Sequence, residues 1–215
     1  MIKNYNNKMS VIKVSNSSFP NLELSEHIRE LIFSDDFNQP VKGLDLKQVT
    51  ILSFGDRFNQ PVEGLDLKKV TSLNFGHNFD QEIEGLDLKG VTSLHFGQYG
   101  SNFNQPVERL DLKRVTTLTF SHCFDQPVEG LDLKEVTSLT FGYCFNRPIE
   151  GLDLKGVKSL RFGYDFNSPI EYLDLKGVSS LTFGYRFNRP INGLELKGVS
   201  VSIDHPIFNT QSMLL

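Results

Sequence analysis

The chain has 215 residues, 39% of them hydrophobic and 22% charged, with 22 Lys+Arg against 26 Asp+Glu, a formal charge of −4 and no tryptophan. That balance excludes a collagen-like or wholly disordered chain and fits one globular or solenoid unit long enough to bury a core. It gives no electrostatic footprint for a phosphate backbone, so nucleic acid is not an expected partner.

The chain opens with Met1 to Ser18, polar and rich in Asn, with no apolar core of the signal-peptide kind. No apolar run anywhere approaches transmembrane length, so no membrane contact is expected. Residues 1–20 are expected to form an N-terminal extension or cap. Asn21 to Phe33 reads as a divergent first rung, with one extra residue between Leu24 and Ile28.

A repeat then takes over. Phe-Asn or Phe-Asp begins at Phe37, Phe58, Phe79, Phe103, Phe124, Phe145, Phe166, Phe187 and Phe208, in steps of 21 residues except for 24 between Phe79 and Phe103. The unit from Phe145 reads FNRPIEGLDLKGVKSLRFGYD. The three extra residues fall within Gln98 to Asn102 and mark a loop. All 17 Gly lie in the repeat region, and seven of the nine Pro share one column, from Pro40 to Pro190, as turn residues.

In each unit the apolar positions, illustrated by Phe145, Ile149, Leu152, Leu154, Val157, Leu160 and Phe162, must point inward. One unit cannot fold alone, because stacking is what buries its two flat faces. Val157 to Phe162 alternates Leu160 in, Arg161 out, Phe162 in, and so reads as a short strand with nine equivalents from Ile28 to near Val201. Strands joined by so long a return path must be parallel. Leu152-Asp153-Leu154 reads as a second short extended piece. No segment carries a helical period over three turns.

The run Val-x-x-Leu-x-Phe-Gly-x-x-Phe-Asn-x-Pro-Ile resembles a leucine-rich repeat with Phe in place of several leucines. More narrowly, it resembles the FNIP repeats of giant DNA viruses and social amoebae, over about Ile28 to Asn209. The resemblance implies a β-rich, right-handed parallel solenoid of 21-residue leucine-rich-repeat-like coils, with about nine rungs and few or no helices. The solenoid would occupy residues 21–209, with a tail or cap at 210–215. The resemblance also implies a non-enzymatic scaffold for protein–protein interaction, intracellular, or in the virion if viral. Relatives with an F-box carry it ahead of the repeats; with the pattern here starting at Ile28, no F-box is expected.

Several columns bear on chemistry. Asn38, Asn59, Asn104, Asn146, Asn167 and Asn188, with Asp80 and Asp125, suggest a ladder of buried amides satisfying turn N–H and C=O groups of adjacent rungs. The two Asp rungs are expected to be weaker or hydrated, since a carboxylate only accepts. An acidic row, Asp45 to Glu195, runs beside a Lys row, Lys47 to Lys197, two residues on. Their charges offset one another, so no metal site is expected. Cys123 and Cys144 take equivalent places in neighbouring rungs, near enough for a disulfide, yet two cysteines fit free thiols in a reducing compartment. His122 beside Cys123 finds no tetrahedral ligand set.

The column after each Phe-Gly varies most: Asp35, Asp56, His77, Gln98, His122, Tyr143, Tyr164, Tyr185. Tyr143, Tyr164 and Tyr185, with Arg161, Arg186, His122, Thr140 and Thr182, make an amphipathic stripe of the kind found in binding sites. The alternative is that the tyrosines stack only to shield strand edges. Asn74, His95, Thr119, Thr140, Arg161 and Thr182 should share that face, expected to be concave. No phosphate-binding Gly loop or Ser/His/Asp arrangement is found, so no catalytic residue or cofactor is expected, and His95 has no evident partner.

At the end, Val199 to Ile203 shifts the apolar alternation by one relative to Leu181 and Phe183, which should turn different side chains inward. Met213, Leu214 and Leu215 would cap the last rung or pair with another copy. Three functions stay open: a scaffold for an unknown protein partner, a structural component, monomeric or weakly self-associating through the C-terminal end, and a glycan or small-ligand module.

Overall fold

The computed structural model describes residues 10–97 and 99–204. Ten strands form one all-parallel sheet in chain order. They are β1 (Ser10–Val14), β2 (Ile28–Phe33), β3 (Ile51–Ser53), β4 (Ser72–Asn74), β5 (Ser93–His95), β6 (Thr117–Thr119), β7 (Ser138–Thr140), β8 (Ser159–Arg161), β9 (Ser180–Phe183) and β10 (Ser200–Ile203). The result is a solenoid of about nine turns, and the only helical element among the described residues is a single 3-10 turn, Phe19–Asn21. From β3 to β9 the register repeats without a slip, with Leu52, Leu73, Leu94, Leu118, Leu139, Leu160 and Leu181 stacked in one buried column.

Behind the strands lies a phenylalanine double column. The strand-end rings, Phe33 to Phe183, and the Phe-Asn rings, Phe37 to Phe187, pair within each rung at centroid separations such as 3.9 Å for Phe54–Phe58 and 4.1 Å for Phe120–Phe124. Between rungs the rings stack near-parallel, 6.0 Å apart for Phe58–Phe79 and for Phe124–Phe145. Sixteen of the 18 Phe are used this way. The backbone is tied from the outside as well. Thr71, Thr92, Thr116 and Thr137 each donate their hydroxyl to the carbonyl of the same column one rung earlier, at 3.1 Å.

Three expectations need correcting. The sheet begins at Ser10, inside the segment read as an extension, because Val14 is buried and β1 pairs parallel with β2. At the other end Val201 lies opposite Leu181 and Ile203 opposite Phe183. The last rung is one residue shorter, and that shortening restores the Leu and Phe columns instead of inverting them. Leu152-Asp153-Leu154 buries both leucines and exposes Asp153, as an extended piece should, but it joins no sheet. Instead Asp153 Oδ1 accepts the Lys155 N–H at 3.1 Å, a local turn that recurs at Asp66–Lys68 and Asp174–Lys176. The glycines divide into two kinds. Gly64, Gly85, Gly130 and Gly151 have φ of 76–79° and make turns. Apart from Gly97, the Phe-Gly glycines lack that need, yet a Cβ on Gly142, Gly163 or Gly184 would lie within 2 Å of the preceding rung's carbonyl oxygen. Expectations placed on residues 1–9, Gln98 and 205–215, including Phe208, Met213, Leu214 and Leu215, lie outside the described residues.

Candidate functional site

The Asn column forms a chain of hydrogen bonds on the rim of the solenoid. Asn38 Oδ1 accepts the Asn59 N–H at 2.9 Å, Asn59 Oδ1 the Asp80 N–H at 3.0 Å, and Asn146 Oδ1 the Asn167 N–H at 2.8 Å. These side chains are half-buried or exposed, not buried. Only the oxygen serves the ladder, so a carboxylate fits equally well. Asp80 Oδ1 accepts the Asn104 N–H at 2.8 Å and Asp125 Oδ1 the Asn146 N–H at 3.0 Å, distances no longer than those of the amides. The return donation to the turn carbonyl comes from the next residue: Gln105 Nε2 to Asp80 O, Arg147 Nε to Asp125 O, Arg189 Nε to Asn167 O.

The variable column builds an aromatic row. The His122 and Tyr143 rings stack at 4.6 Å, Tyr143 and Tyr164 at 4.5 Å, and Tyr164 and Tyr185 at 5.1 Å, with interplanar angles of 15°, 3° and 14°. Rung spacing imposes this geometry, since one column of successive rungs lies about 4.8 Å apart. The row forms one wall of a groove of about 600 Å³. Gly142, Gly163 and Gly184 lie along it, where the absence of side chains leaves room, and Thr119, Thr140 and Arg161 line it from the outward strand positions. Of the residues anticipated, Tyr143, Tyr164, Tyr185, Arg161, His122 and Thr140 line this groove together. Thr182 Oγ1 instead shares a hydrogen bond with Ser202 Oγ at 3.0 Å. Arg186 lies over the Tyr164 ring, 5.6 Å from its centroid, and pairs with Asp165 at 3.0 Å.

Two groove residues escaped the sequence reading. Asp204 closes one end by pairing with Arg161. Tyr99, 81% exposed, stands edge-on to His122 at 5.2 Å and extends the row. It stands in the insertion, between Gly97 and Gly100, both at positive φ. The residue that continues the column's backbone there is Ser101, not Gln98: Ser101 O accepts the Cys123 N–H at 3.0 Å, as His122 O accepts that of Cys144 at 2.9 Å. Ser101 is fully buried, and its Oγ accepts the His122 N–H at 2.9 Å.

The groove's ionisable groups are set by their neighbours. Desolvation, with Tyr164 and Asp165 close by, raises the Tyr143 hydroxyl above its ordinary value, keeping it a neutral donor. Burial lowers His95, whose Nε2 meets Ser93 Oγ at 2.8 Å, so the partner not evident in sequence is the neighbour two residues back on β5. Below the insertion, His77 Nδ1 is 2.8 Å from Asp56 Oδ1. That hydrogen bond, aided by the Tyr99 backbone and Asp35, raises His77 above its ordinary value near 6.5 despite some desolvation. A raised folded value means that His77 contributes stability that is fully present below about pH 6.5 and is lost as pH rises through the folded value. The melting-temperature advantage of the native protein over His77→Gln is therefore expected to be largest in mild acid and to shrink as pH rises through the folded value. An advantage that grows with pH would refute this.

Among the described residues there is no group of three or more metal-ligating side chains, and no helix long and apolar enough to cross a membrane. Stacked parallel rungs, a Leu/Phe core and a ligand-sized groove beside the strands define a leucine-rich-repeat-like solenoid. The chain belongs to the family described as "Mycoplasma protein of unknown function, DUF285", whose model matches residues 36–146 and 74–202. No curated protein matches. Among solved structures the chain is similar to CroV588, a circular leucine-rich-repeat protein from a giant virus, with a TM-score of 0.57 and 26% identity. The similarity covers 82% of this chain and 33% of that one, so the chain spans about a third of its length.

Proposed function

We propose that the chain is a non-enzymatic interaction scaffold that binds an intracellular protein through its strand face, at the groove walled by Tyr143, Tyr164 and Tyr185. The carrying observation is the contrast between columns. Leu and Phe hardly vary from rung to rung, whereas one surface column changes from Asp35 and Asp56 to His122 and three tyrosines, and it is this stretch that borders the groove. Aromatic side chains with a hydroxyl at the tip, close to arginines, are the residue types that dominate protein interfaces. The likeness of the Phe-Asn-x-Pro-Ile/Val signature to FNIP repeats supports the same class.

A glycan platform is less well served, because sugar stacking needs open ring faces. Here the faces of Tyr143 and Tyr164 lie against neighbouring rings and only edges and hydroxyls point outward. Affinity capture from the source cells, comparing the native protein with a folded Tyr143/Tyr164/Tyr185→Ser variant, tests the proposal. A protein recovered only by the native form is the expected result. Equal recovery by both would move the site elsewhere. Recovery of the protein itself alone would favour self-association through the apolar hollow beside β10, lined by Phe187, Ile191, Leu194, Leu196, Val201 and Ile203.

A further inference from the structure

Cys123 and Cys144 are the only cysteines in the chain, and both are partly buried free thiols. They hold the same place in successive rungs, fixed by equivalent backbone hydrogen bonds to Ser101 O and His122 O. A rung step of about 4.8 Å falls within the Cα separation of roughly 4.4–6.8 Å that a disulfide spans. The Cys123 sulfur is close enough to perturb the Cys144 thiol. The column itself does not call for cysteine. In the other rungs it carries Asp36, Arg57, Asn78, Asn102, Asp165 and Arg186, none of them buried. Core packing therefore does not account for two adjacent thiols here.

We propose that this pair is a redox-responsive dithiol, which closes to a Cys123–Cys144 disulfide between rungs when a low-molecular-weight disulfide such as glutathione disulfide is supplied. The first attack falls to Cys123, because burial and the neighbouring sulfur push the Cys144 thiol up to about 11. The Cys123 thiolate attacks one sulfur of glutathione disulfide, expels a glutathione thiolate and keeps the other half as a mixed disulfide. Cys144 then gives up its proton, attacks Cys123 Sγ and releases the second glutathione. Two protein thiols are oxidised, one glutathione disulfide is reduced to two thiols, and the two protons pass from protein to glutathione. The new bond joins the rungs whose preceding residues, His122 and Tyr143, stack in the groove wall, so oxidation locks that step of the row. It also constrains the unfolded chain by closing the loop between the two cysteines.

The full chain, incubated in glutathione buffers of increasing oxidised fraction, is the test. The expected product is a monomer that has lost both thiols together, with a mass lower by two hydrogens, a cross-linked peptide joining Cys123 to Cys144, and a higher melting temperature than the reduced protein. Cys123→Ser and Cys144→Ser should fold, since the column accepts polar side chains. Both should lose the thermal response; Cys144→Ser should take up a single glutathione at Cys123, and Cys123→Ser, left with the desolvated Cys144 thiol, should react far more slowly. Glutathione on both cysteines of the native chain, disulfide-linked dimers, or thiols that stay free in pure glutathione disulfide would each overturn the proposal.

Discussion

Gly163→Ala is expected to destabilise the protein by about 3 kcal/mol, at the severe end of what overpacking causes, lowering the melting temperature by roughly 6–12 °C for a chain of this size. A Cβ at residue 163 would sit 1.8 Å from Gly142 O, 2.4 Å from Gly142 C and 2.7 Å from Tyr143 Cα. All three are backbone or Cα atoms of the rung beneath, so no side chain can rotate away and the rungs themselves must separate. Gly151→Ala isolates the other kind of glycine. Its φ is 78° and nothing lies within 4 Å of the place a Cβ would take, so its cost is torsional, about 1–2 kcal/mol. The chain supplies a natural control at Ser121, which takes the same place in the rung after the insertion. There the preceding rung turns at Gly97 with φ of 85°, which takes its carbonyl along another path, and Ser121 Oγ donates to Phe103 O. Melting curves for Gly163→Ala and Gly151→Ala that coincide would show that close approach between rungs does not decide the Phe-Gly column.

The strand, the parallel order and the Phe columns were legible because every rung solves the same burial problem with the same residues, and periodicity reports that directly. What periodicity missed are devices used once. β1 was hidden because its rung carries the ladder and ring roles three residues apart: Asn16 Oδ1 accepts the Asn38 N–H at 3.2 Å, and Phe19 meets Phe37 edge-on at 4.9 Å. The adjacent Phe-Asn signature is therefore missing. Tyr99 was overlooked because it stands in the insertion, where a column count loses its place. Asp204 reaches Arg161 from 43 residues along the chain, a step that matches no multiple of the repeat. The Asn column was visible, but spacing alone does not report that its members lie on the rim or that a single side-chain oxygen of each makes the ladder bond. The charged rows behave likewise. Asp66 and Lys68 lie within 3.5 Å across exposed side chains, a pairing worth little by itself, whereas the Asp side chain's bond to the backbone shapes every turn.

Phe124→Ala is expected to cost more, about 3–5 kcal/mol, the range for removing a buried aromatic ring and leaving a cavity. The Phe124 ring is wholly buried and meets Phe120 at 4.1 Å, Phe103 at 6.2 Å and Phe145 at 6.0 Å, so neighbours above, below and within the rung all lose contact. Phe187→Ala should cost less. Phe187 is 4% exposed and its ring stacks on Phe166 at 6.1 Å and Phe183 at 3.8 Å, with the hollow beside β10 on its other side. In a stack where each rung touches only its neighbours, the damage should also stay local. Amide exchange in Phe124→Ala should accelerate in β6 and β7 and fall back to native rates by β3 and β9. The long-range order of the sheet is then a sum of short-range couplings, and the Tyr row, whose spacing those couplings set, would survive damage several rungs away. Equal losses at Phe124 and Phe187, or exchange accelerated uniformly in all ten strands, would instead mean that the described solenoid unfolds as one unit and that no part of its groove is energetically independent of the rest.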